Sequence, residues 1–224
     1  MDLRMRRCFA IWFGISLCFS LATSATSGQL EDGLNMLPAG NWAEALRLLL
    51  PIAEKGNPIA QNQVGVIYRS GIHVPQDYTQ AFNWFTKAAK QDNPSALNYL
   101  SLMYRDGQGV PADQKKALEL LTKAAKLGSV DAQFDLAVMH FTGREVPKDY
   151  IRAYVWCKLA ATQNDKIAQA ADYSSPWAGR ETREARDYLM MNRALLAQLE
   201  TDMTPEQVAE GNRLAEAWLQ AHSR

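Results

Sequence analysis

Alanine stands at positions 45, 81, 117 and 153, three successive steps of 36 residues, and other landmarks keep the same step. Gly71, Gly107 and Gly143 do so, as do Pro75, Pro111 and Pro147, then Asp77, Asp113 and Asp149. Ala53, Ala89, Ala125 and Ala161 form another such column. Several residue types held in one phase are not a product of composition; they mark a stack of similar units, each leaning on its neighbours.

Within one unit, Ala81, Trp84, Phe85, Ala88 and Ala89 recur at steps of three and four, which places them on one face of a first helix, A. Ala96, Leu97, Leu100, Met103 and Tyr104 do the same for a second helix, B. Between the two, Gly56 and Gly128 fit a left-handed residue ending helix A, with Asp92 and Asn164 in the equivalent places. The next column, Asn57, Asn93, Ser129 and Asp165, carries side chains that accept a backbone N–H at a helix start, and Pro58 and Pro94 follow at the first helical position. After helix B, glycine and proline forbid continuation, and the aspartate column caps the next helix A; Asp77 with Gln80 has capping-box form. The spacing therefore predicts an all-α chain, a solenoid of antiparallel helix pairs.

Ala81, Trp84, Ala88, Ala89, Ala96, Leu100, Tyr104, Gly107, Gly109, Val110 and Asp113 resemble, one by one, the Sel-1-like repeat, a relative of the tetratricopeptide repeat. The resemblance covers residues 41–161, with a leading half-repeat helix at 29–40. It implies a right-handed α-solenoid and a protein-binding scaffold whose A helices line the concave side. Ile72 and His73, then Arg144 and Glu145, depart from the pattern where the loop usually has a variable residue and glycine.

Residues 162–224 fit the repeat poorly and are expected to form an irregular last repeat and a pair of capping helices. Arg180 with Glu184, and Arg183 with Asp187, suit a solvated helix face, while Thr204, Pro205 and Gln207 form a capping-box signature. Met203 to Trp218 resembles the capping end of bacterial relatives.

Arg4, Arg6 and Arg7, an apolar run from Cys8 to Ala22 and the small residues Thr23, Ser24 and Ala25 match a secretory signal, with cleavage expected after Ala25 or Ser27. The run is shorter than the roughly 20 residues of a spanning helix. Its loss predicts a periplasmic protein with no stable membrane span; retained, it would be a tether. A lipobox at Ile15–Cys18 is the lesser alternative, since Leu17 is larger than the usual residue there. Cleavage removes Cys8 and Cys18 and leaves Cys157 without a disulfide partner. It also removes three of the 24 basic groups and one of the 24 acidic ones, for a net charge near minus two, which argues against nucleic-acid binding.

Signatures of chemistry are sparse. His140 occupies the packing column of Tyr68 and Tyr104, His73 lies in a loop without a second ligand at helical spacing, and His222 is near the terminus. The aspartate column forms a row of helix starts, not a converging pair. Cys157 shares a column with Leu49, Phe85 and Leu121, as a small buried hydrophobe would. No catalytic residue, metal or cofactor is assigned. Arg47, Asn83 and Glu119, a column continued by Val155, vary in charge on a fixed scaffold and are the candidate binding residues for a protein or peptide partner in the cell envelope. The expected molecule is a monomeric, non-enzymatic adaptor. The alternative is an envelope hydrolase or cell-wall or β-lactam-binding enzyme using His73 or Trp177 with a C-terminal carboxylate.

Overall fold

The computed structural model describes residues 28–170 and 178–222, the side chains of 164–188 excepted. The signal segment, Trp177 and the two C-terminal charge pairs lie outside what is described. Ten helices and no strand occur among the described residues. A leading helix, α1, spans 28–36. The A helices are α2 (Trp42–Glu54), α4 (Tyr78–Ala89), α6 (Gln114–Lys126) and α8 (Tyr150–Ala170). The B helices are α3 (Pro58–Ser70), α5 (Pro94–Asp106) and α7 (Val130–Thr142), and α9 (Ala178–Asp202) with α10 (Pro205–Ala221) closes the stack.

Polar side chains fix both turns of each unit. Asn57, Asn93 and Ser129 accept backbone N–H groups at the starts of α3, α5 and α7, and Asp77, Asp113 and Asp149 do so for α4, α6 and α8. At Asp77 only the aspartate's half of a capping box forms, with its carboxylate 2.9 Å from the Gln80 nitrogen. The reciprocal box is complete at Thr204 and Gln207. Asp77, Asp113 and Asp149 also donate their own N–H to the carbonyls of Tyr68, Tyr104 and His140, each at 2.9 Å, so every B-to-A loop is closed by the same bond. The A-to-B turns run through left-handed Gly56, Asp92 and Gly128. Beneath them, Gln61 and Gln133 donate to the Ala53 and Ala125 carbonyls, pairing groups that the end of an α-helix leaves open.

The fourth turn does not form. The column predicts a left-handed turn at Asn164, yet α8 runs unbroken for 21 residues through it. Here the chain has neither glycine at the turn nor proline after the cap: Lys166 stands where Pro58 and Pro94 stand. Asparagine and aspartate cost a helix only a few tenths of a kcal/mol more than average residues, on the order of 0.5 each against alanine, so nothing stops propagation.

The core runs along the stack as three clusters, bridged by the partly buried Tyr68 and Trp156. One cluster joins α2 and α3 with Trp84; the next joins α4 to α7 around Phe85, Leu100 and Met103; the last joins Ala137, Ala153, Tyr154 and Cys157 with Leu199 and Met203. Helices α3 and α4 meet closely because residue 65 is glycine: a Cβ there would lie 2.7 Å from the Phe85 ring.

Candidate interaction surface

Arg47, Asn83 and Glu119 are all exposed, one on each of α2, α4 and α6. Their charges are answered locally. The Arg47 guanidinium donates to both oxygens of Glu44 at 2.6 and 2.9 Å, and the Lys116 ammonium reaches Glu119 at 3.4 Å. Such exposed pairs one turn apart contribute little to stability and leave both side chains free to exchange partners.

Val155, which continues this column, differs. It is half-buried and lines a cleft of about 530 Å³ between α6 and α8. Leu118 and Thr122 form one wall, Ile151, Val155 and Trp156 the other, and Leu136 with His140 of α7 lies beneath. Leu214 of α10, 38% exposed, closes one side, and Lys126 and Arg152 stand among the lining residues. Apolar walls with basic groups alongside suit the apolar face of a peptide or helix carrying acidic neighbours. Leu214 lies far from the repeats in sequence, and Leu118 and Ile151 read as ordinary helix-face positions; only Val155 connects the cleft to the column read from sequence.

The histidines and the cysteine are placed as packing groups or loop residues. His140 is buried, with Nδ1 3.3 Å from the Pro147 carbonyl. His73 is exposed and shares a shallow recess with Trp42, Glu44 and Arg47. His222 stacks on Trp218. The Cys157 thiol is fully buried, lies 3.2 Å from the Asn192 carbonyl oxygen, and is pushed up to about 12 by that burial. A thiol so desolvated stays protonated and is a poor nucleophile. Among the described residues no three His, Cys, Asp or Glu side chains converge as metal ligands, and no helix is long and apolar enough to cross a membrane.

The family model for the Sel1 repeat matches residues 58–93, 94–129 and 130–165, contiguous units with the period of the columns and a phase that begins at helix B. Residues 58–165 are three Sel1 repeats. A solved Sel1 repeat protein from Oxalobacter formigenes is 29% identical, superposes with a TM-score of 0.55, and is matched over 74% of this chain and 69% of its own. A protective antigen present in uropathogenic Escherichia coli strains, displaying an SLR fold, is 22% identical with a TM-score of 0.45, over 89% of this chain and 54% of its own. No curated protein matches the chain. The Sel1-repeat architecture is that of a protein-interaction scaffold.

Proposed function

We propose that this Sel1-repeat protein is a monomeric, non-enzymatic periplasmic adaptor that holds a peptide or helix of an envelope protein along its A helices. The α6–α8 cleft carries the reading: it is an open apolar trough beside basic groups, with the exposed Glu119 on its α6 helix and Val155 of the same column in its α8 wall, at the end of the row that Arg47 on α2 and Asn83 on α4 begin. The cleavable-signal pattern at residues 1–25 supports the compartment.

Affinity capture from envelope extract tests it. A stoichiometric partner is expected to be retained by the wild-type chain and lost from Leu118→Glu/Val155→Glu, with a weaker loss for Arg47→Glu/Glu119→Lys; helical circular dichroism must be unchanged in both. Capture that survives all four substitutions would overturn the assigned surface. Turnover of a cell-wall or β-lactam substrate, abolished by His73→Ala, would overturn the non-enzymatic reading. Sequencing the mature N-terminus from a periplasmic extract is expected to begin at Thr26.

A further inference from the structure

Across the α6–α7 pair from that cleft, α5 and α7 flank a second cavity of about 410 Å³. Its origin is visible one unit earlier. There Phe85 stacks on Tyr99 with centroids 4.8 Å apart and planes 18° from parallel, and the Arg69 guanidinium lies 5.5 Å from the Tyr99 ring centroid. Thirty-six residues on, Gly65 becomes Ser101, Arg69 becomes Arg105, Phe85 becomes Leu121 and Tyr99 becomes Asp135. Two rings give way to two smaller side chains, and Ser101, Arg105, Leu121 and Asp135 all line the space.

The arginine has also changed its allegiance. Arg105 donates to both oxygens of its neighbour Asp106, at 2.7 and 3.1 Å. Asp135 makes no side-chain hydrogen bond and no ion pair among the described residues. Burial holds its carboxyl up to about 6, the like charge of Asp131 adds to the rise, and Arg105 opposes it. Of the charged groups around the cavity, α5 supplies Arg105 and Asp106, α7 supplies Asp131 and Asp135, and the following loop supplies Arg144 and Glu145. Helix α6 contributes only Ala117, Leu118 and Leu121. The lining itself holds two carboxylates, Asp135 and Glu145, and two guanidiniums, Arg105 and Arg144; Arg105 is already occupied by Asp106, which Arg69 also faces, and Asp131 adds its negative charge beside Asp135.

We propose that this cavity is a socket for an arginine side chain of a protein partner, its flat guanidinium taking the place of the missing tyrosine ring and pairing with the Asp135 carboxylate. The aliphatic stem would lie along Leu102, Leu118 and Met139. Arginine combines a planar head, fixed positive charge and two parallel donors matched to a carboxylate, and it tolerates desolvation better than lysine. The socket's charged groups stand on α5, α7 and the loop after it, and Leu118 of α6 is the one lining residue it shares with the α6–α8 cleft, so the two can be separated by substitutions elsewhere.

The test is an NMR titration of the full chain with acetyl-Gly-Arg-Gly-amide, its citrulline counterpart and its tyrosine counterpart. The arginine peptide is expected to shift amide resonances around Asp135 saturably, with at least about tenfold weaker binding for citrulline and for Asp135→Asn. Binding should weaken as pH is lowered from 7 to 5, because the carboxylate that pairs with the cation takes up a proton. Asp135→Tyr, which restores the ring of the preceding unit, should stay folded and lose the site, whereas Leu118→Glu/Val155→Glu is not used because Leu118 borders both cavities; Val155→Glu alone should leave the titration unchanged. Equal binding by Asp135→Asn, preference for the tyrosine peptide, or no shift on α7 at millimolar peptide would each overturn the proposal.

Discussion

Asp135 carries the sharpest energetic statement at the scale of one residue. Its carboxyl titrates near 6, above the ordinary value of 3.8, because ionisation is disfavoured in its partly buried site. A raised carboxyl binds its proton more tightly in the folded chain than in the unfolded one. The folded state therefore loses stability as pH rises from about 4 through 6, and the ionised group is a liability at neutral pH. Asp135→Asn is expected to stabilise the protein at pH 7 by about 1–2 kcal/mol, a figure discounted for the side of the group that faces the open cavity, and to make no difference near pH 4. Urea denaturation at the two pH values measures this; an equal effect at both would show that the charge is not the cause. Nothing in the sequence flagged this residue: its column holds Gln63 and Tyr99, and an aspartate on an exposed-looking helix position reads as solvated until its neighbours are known.

Turns and helix pairs decide the next scale, and they also show how far the sequence could be read. Column chemistry located every turn down to Ser129, because capping side chains, left-handed glycines and prolines act within a few residues of where they stand. It failed at Asn164, where residue types that merely tolerate a turn are overruled by helix propagation. The departures at His73 and Glu145 were legible as oddities, and their cost is now explicit: both hold φ near +60°, as does Gly109 in the same column. His73→Gly is expected to stabilise by about 0.5–1 kcal/mol, the relief of left-handed strain less the extra backbone entropy of glycine. Gly109→Ala should cost about 2 kcal/mol or more, since its Cβ would sit 2.6 Å from the Tyr78 carbonyl oxygen in addition to the strain. Thermal melts of the two variants should move in opposite directions. A comparable test applies to the contact between B and A helices. Leu121→Phe places beside Ser101 a ring that, in the preceding unit, fits only over Gly65, so alone it should destabilise by about 1–3 kcal/mol through overpacking. Combined with Ser101→Gly it should recover at least about 1 kcal/mol as a coupling energy in a double-mutant cycle. Additive effects would mean that the two units do not share the same packing rule. The candidate site divides along the same line: Val155 was reachable from its column, whereas Leu214 enters the cleft from a helix whose docking no local pattern encodes.

Over the whole molecule, stability passes from unit to unit, and the last interface is built differently from the others. Its repeats meet through alanine columns and apolar and aromatic side chains, but α8 meets the cap with polar bonds added around a buried ring. Tyr154 is 3% exposed, its hydroxyl lies 3.2 Å from both Glu200 and Asn212, and the Lys158 ammonium also bonds Asn212. Gly211 lets α10 lie against the ring, where a Cβ would come within 2.6 Å. A linear array can open from one end while distant units stay shut, because each unit depends only on its neighbours. Tyr154→Ala removes an α8 ring that meets both α9 and α10, for an expected loss of about 3–5 kcal/mol at that interface. Native-state hydrogen exchange should then show α8 and α10 opening at a much lower free energy, while the central amides of α3 and α4 keep wild-type protection. Uniform loss of protection along the chain would instead mean that the stack unfolds as one cooperative block, with the cap stabilising α2 as directly as it stabilises α8.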